Sequence, residues 1–279
     1  MKNMAITQFE AVDARRCFPC WDEPALKATF KVKLDVPSEL TALSNMPIID
    51  EKLNENFKTV SFKESPVMST YLVALVVGLF DHIEDTSTDG VKVGVYCPVG
   101  KSSEGNYALD VALKSLDINI KFLSTPYPLP KLDMVAVSDF HAEAMENFGL
   151  RVFRENEIVY DERSSTAKRK QIEIAHQWFD NLVTMEWWTH LWLNEGFATW
   201  ISYIASDMLF PEWKMWTQFL RQTSHGLLLD ALEQSHPVKV EVQRAHEIDQ
   251  VFYAVSYNKG SAVIRMLQSY LGNDIFRNP

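Results

Sequence analysis

Residues Gln171 to Glu195 read QIEIAHQWFDNLVTMEWWTHLWLNE, and the rest of the chain is organised around this stretch. In the metal-binding helix pattern H-E-x-x-H, two histidines at i and i+4 share one helical face and can hold one ion. The Glu beside the first His is the general base for a metal-bound water. Here the matching residues are Ile172, Glu173, Ile174, Ala175 and His176. The base position and the second His are kept, and Ile172 stands at the first. From His176 to Glu195 is 195 − 176 = 19 positions, and Asn194-Glu195-Gly196 lies in a second helical pattern. Two His and a distant Glu form a known three-ligand catalytic zinc set, with a fourth position left for water.

A bare I-E-x-x-H arises often by chance. The spacing to Glu195, with His176-Gln-Trp-Phe and Trp192-Leu-Asn-Glu-Gly-Phe-Ala, is far more specific. On these residues the chain resembles the gluzincin zinc aminopeptidases, peptidase family M-one, of the puromycin-sensitive and aminopeptidase M type. Four further segments carry the resemblance. In Thr7-Gln8-Phe9-Glu10 it implies that Gln8 and Glu10 contact the substrate's terminal residue. Residues Phe18-Pro19-Cys20-Trp21-Asp22-Glu23-Pro24 match as well. Glu143-Ala144-Met145-Glu146-Asn147 stands where the family reads Gly-Ala-Met-Glu-Asn. The resemblance implies that Glu146 pairs with the free α-amino group, while Ala144, Met145 and Asn147 flank the peptide. An ammonium ion held by a carboxylate fixes the scissile bond one residue from the metal. In Ser256-Tyr257-Asn258-Lys259-Gly260, Tyr257 is implied to hold the oxyanion, a role often worth a few kcal/mol. One zinc per chain is the cofactor implied, and peptides with a free amino terminus are the substrates.

The chain departs from the family at several points. Ile172 cannot bind zinc. Glu143 occupies a Gly position, where Gly permits close approach or positive φ, and His141 stands where a small residue is usual. Either is a conceivable substitute ligand, against the exacting geometry of metal sites. The segment between Tyr160-Asp161-Glu162 and the metal helix is several residues shorter than in the family. Ser164 to Thr166 can cap a helix from Ala167 to about Phe179, and Lys168, Arg169 and Lys170 lie at its start, where the helix dipole disfavours cations. Asp180 replaces a Gly expected at that helix's C-terminus.

The composition fits this reading. A chain of 279 residues with 47% hydrophobic content can bury a sizeable core. Its net charge of −10 argues against nucleic acid and against anionic membrane surfaces. Three cysteines, Cys17, Cys20 and Cys97, suggest a reducing, cytoplasmic compartment. Cys17-Phe-Pro-Cys20 has redox or metal spacing but no second pair, and reads as structural thiols. Met1-Lys2-Asn3-Met4 leads into polar sequence without a secretory signal, and the longest apolar run, Val67 to Phe80, is too short and polar to span a membrane.

Period-two alternation predicts strands at Phe30 to Val36 and Val91 to Cys97, with further strands at Phe57 to Phe62 and Tyr71 to Val77. Helical spacing covers Ala108 to Phe122 and ends at Pro126 to Pro130. Met134 to Val137 is a short strand, Leu191 to about Met208 a helix, and Pro211 starts another through Trp213, Trp216 and Phe219. The expected fold is α+β. Residues 1–98 form the C-terminal part of a truncated N-terminal β domain, and 99–279 form a truncated, thermolysin-like, mainly helical catalytic domain. The expected function is that of a zinc metallo-aminopeptidase impaired at Ile172. The alternatives are a catalytically dead homologue that binds peptide amino termini or a protein partner, or a defective partial gene product.

Overall fold

The computed structural model describes residues 4–158 and 174–277. Ile172 and Glu173, the cap at Ser164 to Thr166 and the basic run Lys168 to Lys170 lie outside the described residues. The architecture is mixed α+β, with strands dominating the first half and helices the second.

Three sheets form. β1 (Ala5–Ile6), β6 (Leu75–Gly78) and β3 (Thr41–Ser44) make an antiparallel sheet in the order β1-β6-β3. β2 (Lys33–Pro37), β5 (Phe57–Phe62) and β4 (Ile48–Asn54) make a second, in the order β2-β5-β4. The third sheet has five strands, ordered β10 (Ala144–Met145), β11 (Leu150–Arg154), β9 (Lys131–Val137), β8 (Lys92–Pro98) and β7 (Phe80–Thr86). It runs across residue 98, because β8 pairs in parallel with β9. β9 also pairs in parallel with β11, so it sits between two parallel neighbours. All seven of its residues are buried, as expected of a central parallel strand covered on both faces.

The expected strand from Tyr71 is corrected by the structure. Thr70–Leu72 is a 3-10 turn and the strand begins only at Leu75. Side-chain amides divert the backbone here. Asn45 Nδ2 donates to the Leu72 carbonyl at 2.7 Å, and its Oδ1 accepts from the Ala74 N–H at 3.0 Å. Asn147 Nδ2 lies 3.4 Å from both the Leu72 and Val73 carbonyls. Backbone groups satisfied by side chains have no need of a ladder partner. The strand expected from Phe30 likewise starts at Lys33, since the Phe30 N–H bonds to Ser65 Oγ.

Helix α1 (Asn106–Leu123) buries Ala108, Leu109, Val111, Ala112 and Leu116 and packs on β7 and β8. Ser124, with φ of 52°, ends it in the left-handed conformation. Helix α2 (Leu191–Leu209) is buried almost all round. α3 (Met215–Asp230) follows a separate 3-10 turn, Pro211–Trp213, so the helix expected from Pro211 is two elements, broken at Lys214 with φ of 49°. A π-helical turn, Val255–Lys259, leads into α4 (Gly260–Leu271). α2 and α4 cross where Gly196 meets Gly260. A Cβ on Gly196 would lie 2.9 Å from the Gly260 carbonyl carbon, so only glycine allows this approach. No described helix is long and apolar enough to cross a membrane.

Candidate metal and amino-terminus site

The site is built from five segments, the fifth being α2 with Glu195, that meet in a cavity of about 390 Å³, lined by Gln8, Glu10, Ala142, Glu143, Ala144, Glu146, His176, Glu195, Phe252 and Tyr257. Gln8 and Glu10 come from the loop after β1. That loop is stiffened by Asp22, whose carboxylate accepts from the Arg15 N–H at 3.0 Å and from the Thr70 hydroxyl at 2.5 Å. Gln8 Nε2 sits 3.2 Å from Met145 Sδ.

β10 and the loop after it supply the second wall. β10 is held antiparallel to β11, with Ala144 opposite Phe153 and Met145 opposite Val152. Glu146 then turns inward and is 5% exposed. Its own carbonyl accepts from Gln177 Nε2 at 2.9 Å and from Asn181 Nδ2 at 2.8 Å. Asn147 is fully buried, and its amide faces backbone carbonyls rather than the cavity. The resemblance gave Asn147 a place beside the peptide; here its side chain holds up the loop.

The third segment is the helical turn 174–176 together with residues 177–183. Helix was expected to about Phe179, but the last helical residue is His176. Phe179 instead bridges to Val183, and the Asp180 N–H donates to the Val183 carbonyl at 2.9 Å. His176 is 2% exposed. Its Nε2 faces Glu195 Oε2 of α2 at 3.4 Å. Its Nδ1 lies 3.2 Å from the Phe179 carbonyl, 3.6 Å from Asp180 Oδ2 and 3.7 Å from Glu146 Oε1. The π-helical turn before α4 is the fourth segment. It brings Tyr257 beside Glu195. The Gly196–Gly260 crossing makes that meeting possible.

The donors suit a metal. Two ligands of one tetrahedral zinc, each about 2.0–2.1 Å from the ion, lie about 3.3–3.4 Å apart, matching the spacing of His176 Nε2 and Glu195 Oε2. Glu195 Oε2 is buried without a hydrogen-bond partner, the state expected of an oxygen that waits for a cation. Glu146, His176 and Glu195 each bring one ligand atom to within 4.8 Å of the others. The two substitute ligands weighed from the sequence are not in this group. His141 is exposed, and Glu143 is exposed on the cavity rim.

Negative charge accumulates here. Burial pushes the Glu10 carboxyl well above the usual carboxylate range, and the charges of Glu146, Asp180 and Glu195 push it further, against the pull of His176. Burial and Glu195 likewise hold the Tyr257 phenol well above its ordinary value, so it stays a proton donor at neutral pH. Asp180 is the site residue that sequence reasoning missed. It is fully buried, and its Oδ1 accepts from the Tyr71 hydroxyl and, at 2.5 Å, from Asn194 Nδ2. The signal was present as an Asp in a Gly position. Its φ of 132° is the backbone conformation that favours Gly, and the acidic side chain is retained there against that preference.

Residues 107–279 match the Peptidase family M1 domain, and residues 1–72 match the Peptidase M1 N-terminal domain. Over 283 residues, and 99% of this chain, the sequence is 64% identical to Aminopeptidase M1 of Arabidopsis thaliana. It is 46% identical to "Aminopeptidase 2, mitochondrial" of Saccharomyces cerevisiae and 43% identical to Puromycin-sensitive aminopeptidase of Caenorhabditis elegans, again over 99% of this chain. The matched region is 32%, 30% and 30% of those proteins, respectively, so the chain spans about a third of the length of the curated relatives it matches.

Proposed function

The chain belongs to peptidase family M1, and from that premise we propose that it carries the site of a zinc aminopeptidase with the amino-terminus pocket intact and the metal centre impaired. The carrying observation is the 3.4 Å approach of His176 Nε2 to Glu195 Oε2 with Glu146 beside the same imidazole. His176 and Glu195 would hold zinc. When bound, the ion supplies Lewis-acid polarisation of a peptide carbonyl and acidifies water. The remaining work falls to side chains. Glu146 and Glu10 bind the substrate's α-ammonium and so set the scissile bond one residue in. Gln8, Ala144 and Met145 line the pocket for that residue. Tyr257 donates its phenol proton to the developing oxyanion. Glu173 would be the general base.

Ile172 leaves two protein ligands where the zinc set needs three. Loss of even an outer partner costs about 10–100-fold in metal affinity or activity, and a direct ligand costs more. A short deletion ahead of Ile172, rather than a point change, is part of this reading. The isolated chain is therefore a weak zinc binder and a poor peptidase. The three cysteines, all free among the described residues, fit a cytoplasmic setting.

The test is zinc content per chain after dialysis against limiting free zinc, with His176→Ala as control. The expected result is little zinc above the control. Near one zinc per chain, lost on His176→Ala, would mean that a replacement third ligand exists and would overturn the impaired reading. A second reading, binding of peptide amino termini without turnover, is favoured by the retained Glu10 and Glu146. It predicts that a free-amine peptide binds and its N-acetylated form does not.

A further inference from the structure

The His176 ring divides the acidic site. On its Nε2 edge lies Glu195. On its Nδ1 edge lie Glu146 and Asp180, which form with Glu10 a second group that shares Glu146 with the first, each bringing a carboxylate oxygen to within 4.8 Å of the other two. The resemblance assigns nothing to Asp180, since a Gly is expected there. Asp180 Oδ1 is occupied by Tyr71 and Asn194, while Oδ2 is buried without a hydrogen-bond partner and faces the Nδ1 edge at 3.6 Å. Glu10 Oε1 is also buried and unpartnered. Three carboxylates this close cannot all ionise without a positive charge among them.

We propose that Glu10, Glu146 and Asp180 form a binding site for a hard divalent cation of the Ca²⁺ or Mn²⁺ class, separate from the His176–Glu195 edge. An all-carboxylate set selects Mg²⁺, Ca²⁺ or Mn²⁺ rather than zinc, which takes nitrogen and sulfur readily. Asp180 adds the third charge, where two carboxylates alone serve a monovalent ammonium. The cation takes the place of a peptide's α-ammonium, so the two compete. That consequence rests on the function proposed above, whereas cation binding itself does not.

The probe is Mn²⁺, followed by electron paramagnetic resonance and equilibrium dialysis on the whole chain. The His176→Ala variant is expected to keep about one Mn²⁺ per chain, displaceable by Ca²⁺. In that background Asp180→Asn, which preserves the acceptor for Tyr71 and Asn194, is expected to weaken Mn²⁺ at least tenfold with an unchanged circular dichroism spectrum. Asp180→Gly, suited to the positive φ, should do the same. Glu10→Gln gives the equivalent reading if substitution at 180 unfolds the chain. Absence of Mn²⁺ binding in the wild type, its loss on His176→Ala alone, or unchanged affinity in the folded Asp180 and Glu10 variants would overturn the proposal. Zinc retention is measured separately, so the two sites can fail independently.

Discussion

The two walls of the cavity are built differently. The amino-terminus wall, Gln8, Glu10 and Glu146, rests on buried side-chain-to-backbone hydrogen bonds. Asn45 joins Leu72, Ala74 and Phe148, while Gln177 and Asn181 hold the Glu146 carbonyl. The metal wall rests on His176 and Glu195 and, in the function proposed here, on a first ligand position given over to Ile172. Substrate recognition and metal chemistry are thus separable properties of one cavity: a chain can keep the scaffold of the first while losing a donor of the second. The walls meet at the His176 ring, at the Glu146 carbonyl held by Gln177 and Asn181, and through Asp180, which reaches Tyr71 on one side and Asn194 on the other.

The comparison can be broken most severely at Asn45. Asn45→Ala strands the Phe148 carbonyl and the Ala74 N–H, each worth about 1–3 kcal/mol when left unpaired, and leaves the Leu72 carbonyl only the 3.4 Å approach of Asn147. A loss of about 3 kcal/mol or more in unfolding free energy is expected from urea denaturation, with the amino-terminus wall disordered. A loss below about 1 kcal/mol would mean that the wall does not depend on this staple.

The next effect sharpens the division of labour. Glu146→Gln removes the charge that meets an α-ammonium. It is expected to weaken binding of a free-amine peptide by about 10–100-fold, equivalent to about 1.4–2.7 kcal/mol, in isothermal calorimetry, while an N-acetylated peptide is unaffected. Equal weakening of both peptides would remove the ammonium role.

Support from behind the wall is weaker. Glu155, at the end of β11, accepts from Lys101 Nζ at 2.5 Å and from the Ser138 hydroxyl at 2.6 Å. These bonds hold its carboxyl below the usual range. A depressed carboxylate stabilises the fold above its unfolded pKa, and that stability is lost as pH falls through the folded value. Glu155→Gln is therefore expected to cost below about 1 kcal/mol at pH 7 and to flatten the stability profile below about pH 4.5. An identical acid profile in the variant would count against this pair.

The smallest effect expected is a gain that does not arrive. In the function proposed above, Ile172→His restores one donor but neither the deleted segment nor the Gly expected at Glu143. Aminopeptidase turnover is expected to stay within about twofold of the parent, measured on metal-analysed protein. A rise of about a hundredfold, comparable to the effect of a supporting ligand, would locate the whole defect at one side chain and make the two walls equally intact.

The sequence by itself determined the α+β order and the long helices. Periodicity marks α1 and α2 because each must turn an apolar face inward at every 3.6 residues. The site roles of Glu10, Glu146, His176, Glu195 and Tyr257 are what the family resemblance implies. Tertiary structure alone decided which of these touch. Glu10 and Glu195 are far apart in sequence, yet they line one cavity with His176. It also decided that Tyr71 leaves the sheet and that Asn147 supports rather than lines the cavity. Asp180 shows the reason most clearly. Read along the chain it is a poor residue for a helix end, a matter of local backbone preference. Folded, it is fully buried, with Tyr71 and Asn194 bound to one oxygen and the other left facing His176. Such long-range pairing follows from packing, which local sequence pattern does not encode.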